Sequence, residues 1–393
     1  MSGKAVIGGV GMVKFTKPGT SDPYQVMGAN AIKLALKDAG LEPEAIQQAY
    51  ASYIYGDSAC GQGAFYSVKQ TGVPVFNVNN NCASGSSAIF MARQAVESGQ
   101  VDCALAFGFE QMGKGALGTA WPDRYNPVAK AFEALIALRG SVNPGPPTGV
   151  MFGTAALEYM EKYDAKNELF AEVAVKTRKH AGKNPYALFT DELTVDDVMN
   201  SPVMMEPNLH RLMCCPPTCG AAAVVVMSEE FAKKNGISRL VKIAGQGMAS
   251  DSEAMSTSAL SVVGQDMTRR ASDAAYEAAS LGPEDAQVVE LHDCFTPNEV
   301  FTYEGLGLCG EGEATKYVDE GSNTYGGKHV VNPSGGLMSK GHPIGATGVA
   351  QSVELVWHLR GDAEARQVEG AKVALQHNIG VPGACVVTVY QAH

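Results

Sequence analysis

Four short stretches carry the residue types that nucleophilic acyl chemistry requires. They are Cys82-Ala83-Ser84, His292-Asp293-Cys294-Phe295, Gly341-His342-Pro343 and His377-Asn378-Ile379-Gly380. A thiolate that attacks a carbonyl carbon forms a thioester, and a base must take the thiol proton. The oxyanion that develops needs hydrogen-bond donors, which N–H groups at a glycine turn supply. If carbon leaves as an enolate, a second acid/base group must protonate it. Cys82, His342, His292 and Cys294 fill those places. Each also has a structural reading. Cys82 can be an inert buried thiol beside a tight turn, and His292 and Cys294 can satisfy a turn. The residues by themselves leave both readings open.

The elements that must position these groups are legible around them. An apolar, β-prone run from Val73 to Val78 leads into Cys82, and a helical pattern, Ala88 to Glu97, leads away. Cys82 therefore falls where a strand turns into a helix. The free N–H groups and positive dipole end there are expected to lower its pKa. His292 and Cys294 follow a strand predicted at Val288–Leu291. His342 lies in a glycine-rich turn before the helix Val349–Leu359, and His377 follows the apolar run Val373–Leu375. All sit at C-terminal ends of predicted parallel strands, the edge where open α/β sheets bind ligands.

The order of elements repeats. The first half runs from a strand at Ala5–Met12 through a helix, Tyr24–Ala39, stopped by Gly40. A Gly/Pro/Glu turn and a strand, Gln48–Tyr53, follow. Leu240–Met248, the helix Asp266–Ser280, a similar turn and the strand Val288–Leu291 repeat that order. The turn around Cys82 is echoed by Lys340–Gly348, and Cys103–Gly108 by Lys372–Gln376. We read an α/β chain built from two duplicated halves, with a mostly parallel, buried sheet. Between them Gly115–Cys215, with Pro/Gly-rich loops at Asn143–Pro147 and helical patterns at Gly153–Tyr163 and Glu168–Ala181, reads as an insertion that covers a site. The first half resumes at Pro216–Gly220, with the strand Ala221–Met227 and a polar helix, Glu229–Asn235.

Composition bounds the function. The 393 residues are 45% hydrophobic and 18% charged, enough apolar mass for a large core. A net charge of −11 disfavours nucleic-acid or anionic-membrane binding as a main role. No apolar run reaches transmembrane length. The opening Met1-Ser2-Gly3-Lys4 does not read as a signal peptide. Nine cysteines in a chain this long do not form a disulfide framework, which points to a reduced, cytoplasmic compartment. Cys214, Cys215 and Cys219 cluster without Cys/His partners at zinc spacing, so no metal is expected. Cys60, Cys103, Cys309 and Cys385 read as core or loop thiols. Asn79–Asn81 reads as a turn and Asn298–Phe301 as the start of a helix. His180, His210, His329 and His358 show no partners.

Five stretches together are diagnostic: His292-Asp293-Cys294-Phe295, Asn323–Lys328, Asn332-Pro333-Ser334-Gly335-Gly336, Gly341–Gly348 and Ala374–Asn378. They resemble the thiolases, and within them the sterol-carrier-protein type, over essentially the whole chain. The resemblance implies the thiolase fold, two duplicated αβαβα halves with an inserted loop domain. The boundaries would be residues 1–114 with 216–237 for the first half, 115–215 for the loop domain and 238–393 for the second half. It implies cleavage of a 3-ketoacyl-CoA by coenzyme A, a co-substrate, with no cofactor held permanently. Fatty-acid β-oxidation or steroid side-chain degradation would be the setting. By motif, Cys82 carries the acyl group and His342 activates it. His292, standing where most thiolases have Asn, binds the enolate's thioester oxygen together with His342. The usual Cys-x-Gly reads Asn378-Ile379-Gly380 here, so Cys294 takes over the second acid/base role. The N–H groups of Cys82 and Gly380 form the other oxyanion site. A homodimer is implied, and a stand-alone enzyme without the sterol-carrier domain is expected. Relatives of this type also include retro-aldolases with a small OB-fold partner and scaffolds in condensing complexes. A non-thiolytic subunit, or a lipid-binding scaffold with a relic site, are the alternatives.

Overall fold

The computed structural model describes residues 4–113, 118 and 121–393. Its strands are β1 (Ala5–Met12), β2 (Gln48–Ser52), β3 (Val75–Val78), β4 (Cys103–Glu110), β5 (Val203–Met205), β6 (Leu209–His210), β7 (Gly220–Ser228), β8 (Val241–Ala249), β9 (Val288–Glu290), β10 (Val330–Val331), β11 (Val373–Gly380) and β12 (Ala384–Ala392). Ten of them form one sheet in the order β10-β9-β11-β12-β8-β1-β7-β4-β2-β3. Outward from the centre, β1-β7-β4-β2-β3 and β8-β12-β11-β9-β10 mirror each other strand for strand. The repeat seen in the sequence is thus the architecture of the sheet. The halves join where β1 and β8 pair antiparallel, Val6 with Lys242 and Ile7 with Val241.

The expectation of a mostly parallel sheet is corrected. Only β2–β3, β2–β4, β9–β10 and β9–β11 are parallel. The other five pairings are antiparallel. A parallel neighbour needs a long crossover, whereas an antiparallel one can follow a tight turn. Only Val381, Pro382 and Gly383 separate β11 from β12. β1, β4 and β7 are buried at every position, so their sequences read as continuous apolar runs, without alternation.

Two helices with equivalent places in the halves, Ser84–Glu97 and Thr347–Arg360, meet at their N-terminal turns. A Cβ on Gly85 would come within 2.9 Å of the backbone nitrogens of both Gly348 and Val349. One on Gly348 would collide with Ser86 and with Asn378 Oδ1. Between β4 and β7 stand the helices Val128–Arg139, Pro147–Tyr163, Glu168–Ala181 and Val195–Met199 and the β5–β6 hairpin. The expected start of this region, Gly115, lies outside the described residues. These helices lean on Thr296–Gly305 of the second half. Phe301 contacts Tyr159 and Phe170, with ring centroids 5.4 and 6.4 Å apart. Lys176 pairs with the fully buried Glu299.

Helix propensity favours Ala over Gly by about 0.5–1 kcal/mol. The collision at Gly348 involves backbone that cannot move aside, and overpacking of this kind costs about 1–3 kcal/mol. Gly348→Ala should therefore lower stability despite its better propensity. Urea denaturation would show a lower midpoint with an unchanged slope.

Candidate active site

The nucleophile's turn is built by short polar contacts. Asn81 adopts the left-handed conformation, with φ 49°, which Asn tolerates better than most residues. Asn80 N–H donates to Ser84 Oγ at 2.8 Å, and Asn81 Nδ2 donates to Pro382 O at 2.7 Å. The second contact ties the turn to the β11–β12 hairpin. Gly380, the last residue of β11, lies against this turn; a Cβ there would meet Asn80 O and stand 2.9 Å from Ala83 N. The helix begins at Ser84, four residues earlier than expected.

His292 and Cys294 follow β9. Asp293 between them accepts from Leu337 N at 2.7 Å and Met338 N at 3.4 Å, which anchors the π-helix Gly336–Lys340. That helix delivers His342. Its turn is pinned to the first half: Gly345 N–H donates to Glu110 Oε2 at 2.9 Å, Ser52 Oγ donates to Gly345 O at 2.7 Å, and His342 N–H donates to Thr218 Oγ1 at 3.1 Å. Glu110 also accepts from Ile54 N and Tyr55 N.

Cys82 Sγ and one nitrogen each from His292 and His342 lie within 4.8 Å of one another. The two imidazoles meet edge to face, centroids 5.0 Å apart at 85°. His342 Nδ1 sits 2.7 Å from Thr347 Oγ1, which itself donates to Pro343 O at 3.1 Å. If the hydroxyl gives its one hydrogen to Pro343 O, which also accepts from Ala346 N and Thr347 N, Nδ1 carries the imidazole proton and Nε2 is left as a base. Cys294 is buried, and the Cys215 and Cys82 thiols lie close enough to oppose its ionisation.

The expected lowering of the Cys82 pKa is overturned. Burial pushes its thiol up to about 12, and the Glu110 carboxylate adds to that shift. Its backbone hydrogen bond opposes the shift and does not prevail. Burial also drives the His342 imidazole down to about 3. It holds His292 well below its usual value, helped by His342 and His377. Burial and the neighbouring thiols raise Cys294. Around neutral pH the pair is therefore a thiol beside a neutral imidazole, and proton transfer must accompany attack.

Residues from all four stretches converge, although His377 sits behind the site. It lies inside β11, with Nδ1 facing His292 N at 3.4 Å and Nε2 facing Thr268 Oγ1 at 2.9 Å. Cys215 was missed: its N–H donates to Cys294 O at 2.9 Å. Its cluster with Cys214 and Cys219 had been weighed only for zinc. The remaining histidines have structural partners: Asn332 O and Thr324 for His180, Ser201 O for His210, Tyr317 and Pro283 O for His329, and Val368 N for His358. Asn298–Phe301 does lie in a helix, Thr296–Gly305, and its Glu299 also holds Asn332, Lys176 and Tyr303.

Residues 6–230 match the family model for the thiolase N-terminal domain, and residues 247–390 match that of the thiolase C-terminal domain-like family. The chain belongs to the thiolase family. This thiolase is 52% identical over 390 residues to sterol carrier protein 2 of Oryctolagus cuniculus, covering 98% of this chain and 71% of the rabbit protein. It is 36% identical over 386 residues to the benzoylsuccinyl-CoA thiolase subunit BbsB of Thauera aromatica, covering 97% and 95% of the two chains. Its fold superposes on the Ltp2–ChsH2(DUF35) aldolase with a TM-score of 0.81 at 26% identity, over 99% of this chain and 98% of that one. The thiolase is an acyltransferase by family. Among its described residues, no helix is long and apolar enough to cross a membrane.

Alkylation of Cys82 by iodoacetamide reports the thiolate fraction. Its rate should climb about tenfold per pH unit between pH 7 and 9. A plateau near neutral pH would instead reveal a preformed thiolate–imidazolium pair.

Proposed function

We propose that this thiolase cleaves 3-ketoacyl-CoA with coenzyme A, giving acetyl-CoA (or propionyl-CoA) and a shortened acyl-CoA. The observation that carries the reading is the convergence of Cys82 with the His292 and His342 imidazoles, with Cys294 beside them. His342 takes the Cys82 proton as sulfur attacks the 3-keto carbon. The resulting alkoxide is held by the N–H groups of Cys82 and Gly380. Collapse breaks the carbon–carbon bond and expels an enolate, whose thioester oxygen is bound by His292 and the now protonated His342. Cys294 protonates the enolate carbon. Its thiolate then takes the proton of incoming coenzyme A, whose sulfur displaces Cys82 from the acyl group, and His342 returns the proton to Cys82. Coenzyme A is a co-substrate, and no metal enters.

Residues 115–215 form the loop domain in this reading, with 1–114 plus 216–237 and 238–393 as the two halves. Phe152 of that insertion stacks on Phe295 with centroids 4.8 Å apart, an apolar wall next to Cys294. Branched or steroid side-chain acyl groups remain part of this proposed reading. The segment Met248–Val263 is where coenzyme A would enter. β3 is an outer strand of the sheet, with Tyr66 and Phe76 exposed near it, which suits pairing with a second copy as a homodimer. All nine cysteines are free, as a reducing, cytoplasmic setting requires.

The likeness to an aldolase complex and to a thiolase subunit supports a second reading, a retro-aldolase or condensing subunit that works with a small OB-fold partner. A panel of 3-ketoacyl-CoAs plus coenzyme A decides between them. Loss of the 3-ketoacyl-CoA–Mg²⁺ absorbance by the purified chain is expected; activity that appears only with a co-purifying small protein would favour the second reading. Cys82→Ala should abolish the acyl-enzyme, and an acyl adduct trapped on another cysteine would refute the assignment. Cys294→Ala should slow thiolysis by about 10²–10⁴-fold, and wild-type turnover would remove Cys294 from the mechanism.

A further inference from the structure

Behind His292 runs a chain of buried side chains that the mechanism has not used. His292 Nδ1 lies 3.0 Å from Asn378 Nδ2. Asn378 Oδ1 accepts from Ser86 Oγ at 2.9 Å, and Ser86 Oγ accepts from Gln376 Nε2 at 2.9 Å. Gln376 Nε2 also donates to Gly348 O at 2.6 Å and to Gln351 Oε1 at 3.3 Å. Gln351 is oriented in turn by its own donation to His377 O at 3.1 Å. All of these residues are buried.

Two backbone carbonyls orient the glutamine amides of this chain. A carbonyl only accepts, so the Gln376 group facing Gly348 O must be the amide NH₂. The Gln351 group facing His377 O must likewise be NH₂, which leaves its oxygen toward Gln376. The two hydrogens of Gln376 NH₂ are shared among Gly348 O, Ser86 Oγ and the longer contact to Gln351 Oε1, and with Ser86 accepting, its single hydrogen goes to Asn378. The Asn378 atom that receives it must be oxygen, so its NH₂ faces His292. An imidazole nitrogen that accepts a hydrogen bond has no proton of its own. With the Asn378 NH₂ facing Nδ1, His292 carries its proton on Nε2, the nitrogen not engaged by Asn378.

We propose that Asn378, held by Ser86 and Gln376, is a positioning residue that fixes His292 as an Nε2–H donor while Thr347 fixes His342 as an Nε2 acceptor. Two adjacent neutral imidazoles are thereby given opposite duties. One is a standing donor to the enolate oxygen and the other a base for the Cys82 thiol; these duties rest on the thiolysis reading, whereas the tautomers do not. The arrangement also bears on metal binding. Cys82, His292 and His342 are a zinc-type donor set, but an Nε2 that bears hydrogen has no lone pair to offer a cation. Ser86 belongs to the nucleophile's helix and Asn378 to the second half, so the tautomer of His292 depends on the halves being docked.

Nitrogen-15 NMR of histidine-labelled wild-type protein at pH 7 is the direct test. Resonances are assigned through His292→Asn and His342→Asn. We expect His292 protonated on Nε2 and His342 on Nδ1; His292 protonated on Nδ1 overturns the proposal whether or not thiolysis is detected. In an active enzyme, Asn378→Ala should lower kcat by about 10- to 100-fold with KM little changed, less than the loss of an oxyanion donor outright. In a His292→Ala background the same change should add less than about twofold, because the two residues act as one unit. Full additivity would show that Asn378 acts by some other route. Absence of thiolysis with the expected tautomers would sink the functional reading alone.

Discussion

The structure depends on the close crossing of two helix N-termini, Ser84–Glu97 and Thr347–Arg360, at Gly85 and Gly348. Neither position has room for a methyl group. Each helix starts just after one reactive residue, Cys82 or His342, so bringing the helices together brings thiol and imidazole together. The mirrored sheet makes this possible, because it places equivalent strand-to-helix turns of the two halves at one edge. A duplicated fold thus builds one asymmetric site: the same turn carries a cysteine in one half and a histidine in the other.

Docking the halves buries the site more thoroughly than it charges it. Among the described residues no cation acts on Cys82 or Cys294, and desolvation is the leading cause of every shift at these groups. Both groups are neutral at rest, with Cys82 partly buried and His342 buried. Ionisation is then confined to the moment when substrate supplies a place for the negative charge. A neutral site also makes tautomers matter, since with no imidazolium present each ring offers only one donor.

Buried carboxylates act on the backbone around this site. Glu110 holds Ile54, Tyr55 and Gly345; Asp293 holds the π-helix; Glu290 accepts from Ser334 N and Oγ at 3.1 and 2.8 Å. Each satisfies N–H groups in loops that cannot form regular structure while presenting a reactive side chain. Breaking such a network leaves uncompensated buried polar groups, which is why these loops behave as rigid parts of the site.

The sequence by itself determined the duplication, the strand-to-helix turns and the four stretches that meet. Those properties are written locally, in apolar runs, glycine turns and reactive residues at strand ends. It also carried the family, through motifs such as His292-Asp293-Cys294-Phe295. Only the tertiary structure decided the sheet's mixed direction, the sign of the Cys82 shift, the presence of Cys215 beside Cys294, and the partners of Asn378. The strand-to-helix turn at Cys82 is a local feature and was legible, although the helix begins four residues before the pattern that marked it. The desolvation that outweighs it comes from everything packed above, which no local pattern records. Ser86 and Asn378 are 292 residues apart in the chain, and their contact exists only because the two halves close on each other.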